Sequence, residues 1–196
     1  MCSWCWAFRP ALNALRASLP QDIHFTPLLG GLAADSDMPM PEAQREALQA
    51  TWRRIQRSVP GTEFNFDFWR NRIPRRSTWP ACRAVIAADA HDQAEAMIHA
   101  IQRAYYLEAR NPSDETTLIT LAATLGIPRN DFAMRLNHPE THAELARQIA
   151  ACRALGVEAF PSLVLDLDGG RWPIPVEYRD PEAMRNTIES LLAFSD

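Results

Sequence analysis

Met1-Cys2-Ser3-Trp4-Cys5-Trp6-Ala7-Phe8-Arg9-Pro10 opens the chain, and its reading governs the rest. Two cysteines two residues apart can close a small disulfide ring or share a metal ion. Downstream, Phe8, Leu12, Leu15 and Leu19 recur at spacings of three and four, which predicts an amphipathic helix. Cys2 and Ser3 then stand at a helix N-terminus, where free N–H groups and the positive end of the dipole stabilise an anion. A thiolate there has a lowered pKa and attacks near neutral pH. Cys5, one turn further in, is placed to attack a mixed disulfide and release the product. Pro10 falls inside the helix and removes the hydrogen bond to the Trp6 carbonyl. A zinc site needs two more ligands, and there is no second CxxC and no His-rich cluster, so no metal is expected.

Composition narrows the class. The 196 residues suffice for one ordinary domain, or for a small domain carrying a large insertion. With 47% apolar residues a sizeable core is available. A net charge of −4 argues against nucleic acid as a partner. All 20 basic residues are Arg, a bias of composition with no mechanistic content. No apolar run is long enough for a membrane span, so no membrane partner is expected. Only Met1 precedes the CxxC, so no signal peptide is read there. Cys82 and Cys152 are isolated, which does not make a secreted disulfide framework; a reducing, cytoplasmic location is expected.

Along the chain, residues 22–29 (DIHFTPLL) read as a short strand ended by Gly30-Gly31. Residues 33–40 read as a loop, and Pro41 opens a helix running to about Val59. Phe64, Phe66, Phe68 and Trp69 predict an irregular aromatic segment packed over something. From Trp79 to about Ala154 the pattern is helical almost throughout, with turns at His91-Asp92, residues 111–114, Gly126 and residues 138–140, and an end at Gly156. Residues 161–167 and 172–176 predict a hairpin about a turn at Asp168-Gly169-Gly170. Asp180 caps a last helix with an apolar stripe of Met184, Ile188, Leu191 and Leu192. A helical block thus interrupts an α/β protein.

The CxxC opening a helix, together with the hairpin that begins Gly156-Val157-Glu158-Ala159-Phe160-Pro161, resembles a thioredoxin-fold protein. The helical block between the two halves makes the chain similar to the DsbA-like thiol oxidoreductases. Pro27-Leu28-Leu29-Gly30-Gly31 and Trp79-Pro80-Ala81-Cys82-Arg83 resemble the branch related to kappa-class glutathione transferases and hydroxychromene-carboxylate isomerases. The resemblance implies an α/β, thioredoxin-like fold with a large all-helical insertion: residues 1–33 and 156–196 would form the discontinuous thioredoxin-like domain, and 34–155 the inserted helical domain. It also implies that Pro161 is a cis-proline facing the CxxC and that the Phe160 backbone pairs with an extended substrate strand.

The resemblance further implies a strand directly before the CxxC helix, between residues 24–29 and 162–167. That first strand is missing here, and the expectation is a truncated sequence. The two flanking strands should then lie two inter-strand spacings apart, or else pair directly where the fold has closed over the loss.

The leading expectation is a thiol–disulfide oxidoreductase or protein disulfide isomerase, with Cys2 and Cys5 catalytic and with Ser3, Trp4, Phe160 and Pro161 binding substrate. Substrates would be thiol or disulfide proteins or small molecules. No cofactor beyond the redox-active disulfide is expected, with glutathione as a candidate co-substrate. The alternatives are a glutathione-dependent isomerase or transferase, whose relatives use Ser at the first active-site position, and a redox-inactive binding module. Cys82 and Cys152 read as core thiols. Arg70, Arg72, Arg75 and Arg76 read as a solvated charged loop, or as a receiver for an anionic tail. His138 and His142 read as surface residues. Oligomeric state is not legible.

Overall fold

The computed structural model describes residues 1–167 and 169–194. Helices α1 (Ser3–Ser18), α2 (Glu42–Ser58), α3 (Asp67–Asn71), α4 (Trp79–Asp89) and α5 (Ala94–Tyr106) occupy the first half. Then follow α6 (Glu115–Thr124), α7 (Arg129–Leu136), α8 (Pro139–Ala154), strands β1 (Leu163–Leu167) and β2 (Gly170–Ile174), and α9 (Pro181–Ala193). The strands pair antiparallel, in a register that sets Leu163 opposite Ile174 and Leu167 opposite Gly170. Asp168, the first residue of the expected turn, lies outside the described residues.

Local chemistry accounts for most boundaries. Asp180 Oδ1 accepts from the Ala183 N–H at 3.1 Å and starts α9 behind Pro181. His138 caps α8 through its ring nitrogen, which accepts from the Glu140 N–H at 3.3 Å, so this histidine serves the backbone. Gly126 and Gly156 take positive φ just past the ends of α6 and α8, where a left-handed residue closes a helix.

Two expectations are corrected. The strand expected at residues 22–29 is not formed. These residues pair with neither β1 nor β2, and the only sheet among the described residues has two strands. Two of the segment's N–H groups find partners outside a ladder: Leu29 donates to Gln148 Oε1 at 2.9 Å and Ile23 to the Pro20 carbonyl at 3.2 Å. Strand propensity without a ladder partner yields an extended segment, and the direct pairing of residues 22–29 with β1 does not occur. The second correction concerns the aromatic segment, which includes the short helix α3. Asn65 turns the chain there: its N–H donates to the Tyr106 carbonyl at 2.6 Å and its amide to the Leu107 carbonyl at 3.0 Å. The same contacts end α5 earlier than the helical pattern predicts, at Tyr106.

The buried side chains fall into three clusters. One unites α4, α5, α6 and α7 around Met97, Ile101, Leu118 and Phe132. A second centres on Trp52, which is 1% exposed and ringed by Phe64, Phe68, Trp69, Tyr105 and Tyr106. The third packs α1 against α9 and the hairpin through Phe8, Leu15, Ile174, Met184 and Ile188. Helix α1 feeds two of them, since Ala7 faces the Trp52 cluster while Phe8 faces the hairpin side. The N-terminus of α1 is thereby held between the helical block and the sheet.

Candidate active site

Cys2 is the N-cap of α1, with extended backbone angles, and its Sγ accepts from the Cys5 N–H at 3.4 Å. Its Sγ also lies 3.3 Å from the Phe160 carbonyl oxygen, to which the protonated thiol donates. These contacts pull in opposite directions, because the N–H favours the thiolate and the carbonyl favours the thiol. Hydrogen bonds to the thiolate prevail. Donation from the Cys5 thiol is the largest cause, and the Cys5 and Trp4 N–H groups add to it, against the opposing effect of burial. Together they bring Cys2 down to about 7. Cys5 moves the other way: donating its proton to Cys2 and being buried both push its thiol up. The pair therefore has one ready nucleophile and one thiol that keeps its proton.

Across from Cys2, the Phe160–Pro161 peptide bond is cis. The Phe160 ring lies over Gly30, so closely that a Cβ there would stand 2.0 Å from its Cζ. Gly31, at φ +56°, has its carbonyl bound by the Trp79 indole N–H at 3.0 Å. Thr78 holds Ala33 through both the N–H and the carbonyl. The start of α4 thus fixes residues 31–33, the neighbouring Gly30 seats Phe160, and Phe160 meets the Cys2 sulfur.

The structure brings Cys2, Cys5, Phe160 and Pro161 together. Ser3 is buried, at 8% exposure. Trp4 is half-buried, its ring 5.2 Å from Tyr178 edge-on and 5.6 Å from the Arg54 guanidinium. Of the arginine cluster, Arg70 pairs with Asp67, Arg72 donates to the Ala109 carbonyl, and Arg75 engages Ser113, Asp114 and Asp37. Those three are occupied by the protein itself. Cys152 is buried, and burial raises its thiol.

Sequence reading missed Tyr106 and Tyr178. Both phenols are pushed up mainly by burial, with the two sulfurs adding their charge, and Tyr178 reaches about 12. Tyr106 stacks on Trp6 at 5.7 Å, and its hydroxyl is buried without a protein partner. Nothing in the local sequence marks either one, because they reach the site from the end of α5 and from the segment before α9.

No helix among the described residues is long and apolar enough to cross a membrane. The fold is similar to a protein from Nitrosomonas europaea provisionally assigned as a disulfide isomerase. The two share 26% identity and a TM-score of 0.83, over 100% of this chain and 95% of that one. It is similar to the cytosolic disulfide reductase DsbM of Pseudomonas aeruginosa, at 25% identity and a TM-score of 0.80, over 99% and 95% of the two chains. The same reductase with glutathione (GSH) gives 25% identity and 0.75, over 98% and 95%. No curated protein matches the sequence. The model of the DSBA-like thioredoxin domain matches residues 1–186, and the chain belongs to that family of thiol–disulfide oxidoreductases, with its thioredoxin-like fold.

Proposed function

We propose that this protein reduces disulfides, with Cys2 as the attacking thiol and Cys5 as the resolving one. The observation that carries the reading is the position of the Cys2 sulfur, 3.4 Å from the Cys5 N–H and 3.3 Å from the Phe160 carbonyl. In the first step the Cys2 thiolate attacks one sulfur of the substrate disulfide. That bond breaks, the other substrate sulfur leaves as a thiolate and takes a proton, and a mixed disulfide forms at Cys2. Cys5 then loses its proton to solvent and attacks the Cys2 sulfur, which closes the Cys2–Cys5 disulfide and frees the second substrate thiol. Two equivalents of a small thiol such as glutathione return the pair to the dithiol and leave as their own disulfide.

The backbone of Phe160 supplies polar groups beside the sulfur for an extended substrate segment. Trp4 forms an apolar wall, and Ser3 shapes the ring from within. Residues 34–155 act as the inserted unit that holds Gly30 and Phe160 in place. The reducing direction is supported by a Cys2 thiol near 7, a value close to that of reducing thioredoxins and well above that of the strongly oxidising DsbA. It also fits a cytoplasmic location, as in the reductase neighbour. The test is the equilibrium potential of the Cys2–Cys5 couple against glutathione, with insulin reduction assayed alongside. A potential near or below that of the cytosolic glutathione pool, with turnover, is expected. A strongly oxidising potential would reverse the direction, and a pair that does not exchange would leave a binding module.

A further inference from the structure

One face of α1 leads away from the reactive sulfur into a cavity of about 540 Å³ that the exchange steps do not use. Trp6 and Arg9 follow Cys2 at spacings of four and three, so the three residues share one side of the helix. Trp6 is anchored by its indole N–H, which donates to the Glu63 carbonyl at 3.1 Å, and by stacking on Tyr106. Beyond it the cavity is lined by Arg9, His99, Arg179, Tyr178 and Glu63.

The charges in this cavity are unbalanced. Arg9 is partly buried, and the group it donates to is the neutral Gln102 amide, at 3.2 Å. Burial disfavours its charge, with Arg16 acting in the same sense and Glu95 against it. His99 is held below its usual range by burial and by the neighbouring charges of Arg9 and Arg103. Arg179, exposed at the rim, makes no ion pair among the described residues. Glu63 is the one carboxylate lining the cavity, and its backbone belongs to the Trp6 end. A corner of net positive charge, Arg9 and Arg179 against Glu63 with Glu95 acting on Arg9 from outside the lining, thus lies two turns down the helix from the sulfur.

Seven residues of helix rise about 10 Å between Cys2 and Arg9, which an extended peptide spans in about three residues. We propose that this cavity is a specificity subsite for substrates carrying a carboxylate about three residues from the reacting half-cystine. The substrate's body would lie over Trp6 and its carboxylate against Arg9 and Arg179. This inference rests on the disulfide-exchange reading, and its test separates the two.

Four peptides, each disulfide-linked to a reporter thiol through a single cysteine, would carry either Glu or Lys three residues before or three residues after that cysteine. The expected result is a kcat/KM at least about fivefold higher for one of the Glu peptides than for its Lys counterpart, lying in KM and falling with added salt. Arg179→Glu, at an exposed position, should move the Glu-to-Lys ratio toward or below one, and Arg9→Gln should lower it while thermal denaturation confirms the fold. Equal turnover of all the peptides by the unaltered protein would overturn the subsite and leave the exchange reading intact. A preference for Glu that survives Arg179→Glu and Arg9→Gln would place the recognition elsewhere and overturn it as well. No turnover of any peptide would overturn the exchange reading itself.

Discussion

Cys2 and Cys82 occupy superficially equivalent places and behave in opposite ways. Each is half-buried and near the start of a helix, Cys2 as the N-cap of α1 and Cys82 as the fourth residue of α4. Yet Cys2 is lowered to about 7 while Cys82 is raised. The difference lies in donors. The Cys2 sulfur receives the Cys5 thiol and two N–H groups, and these outweigh its burial. Cys82 has no such set: burial is the largest influence on it, and a hydrogen bond from the Gly31 backbone only partly opposes that. Its own N–H is spent on the Thr78 carbonyl, 3.1 Å away, in the first turn of α4. A helix N-terminus therefore activates a thiol only where the sulfur itself takes up the free donors.

The hardest way to break this contrast is to remove each sulfur in turn. Cys2→Ser should lower insulin reduction by at least about a thousandfold, since the nucleophile is gone and no other thiol is poised to replace it. Substantial turnover in that variant would transfer the role to Cys5 or Cys82 and end the comparison.

A sharper cut is Cys5→Ser, which leaves the nucleophile in place. Mixed disulfides at Cys2 should accumulate, and turnover should fall on the order of a hundredfold for want of a resolving thiol. In the unaltered protein, iodoacetamide labelling of Cys2 should follow a midpoint near pH 7 and drop about tenfold per unit below it. In Cys5→Ala the midpoint should rise, because the largest stabilising donor has been removed. A midpoint that stays put would assign the effect to the backbone N–H groups alone. The same shifts fix how the stability of the reduced form depends on pH. The contribution from Cys2 is complete above the unfolded thiol value of about 8.5 and is lost as pH falls through about 7. Cys5, raised on folding, has the opposite effect and costs stability as pH climbs past the unfolded value. Chemical denaturation of the reduced protein should thus show a gain from pH 7 to about 8.5 and a decline above it.

Gly30→Ala probes the support of the site at smaller cost. The new Cβ would overlap the Phe160 ring, which is half-buried and gives way more readily than backbone. A stability loss of about 1 kcal/mol is expected. Activity should fall a few-fold beyond that, because the carbonyl facing Cys2 belongs to the displaced residue. Loss of stability without loss of activity would show that the Phe160 backbone is held by the hairpin rather than by its ring.

What could be read from the sequence follows from the range of each interaction. The CxxC, the helix behind it and the caps at Asp180 and His138 are local, and residues three or four apart suffice to declare them. Phe160 and Pro161 stood out through resemblance, since a contact spanning the whole chain between Cys2 and Phe160 leaves no periodic trace. The strand expected at residues 22–29 failed because alternation reports a willing segment and never its partner. Tyr106, Tyr178 and the charge imbalance around Arg9 were invisible for a related reason. Each acquires its meaning from burial and from neighbours that only the assembled helices provide.

The smallest effect is expected at the other two thiols, and it is the one that tests the contrast from its weak side. Cys152 is 6% exposed in α8, and Cys82 is half-buried beside Gly31 and Trp79. Both are raised by burial, so neither offers an appreciable thiolate at neutral pH. Replacing each with Ala removes one sulfur from a packed surrounding and should cost at most about 2 kcal/mol apiece, read as a small drop in thermal midpoint. The rate of insulin reduction and the alkylation midpoint of Cys2 should stay where they were. If Cys82→Ala instead slowed turnover while stability held, Cys82 would have to reach the Cys2 mixed disulfide during the cycle. Burial at rest would then be a poor guide to its reactivity, and the donor-based account of the two cysteines would apply to the resting dithiol only.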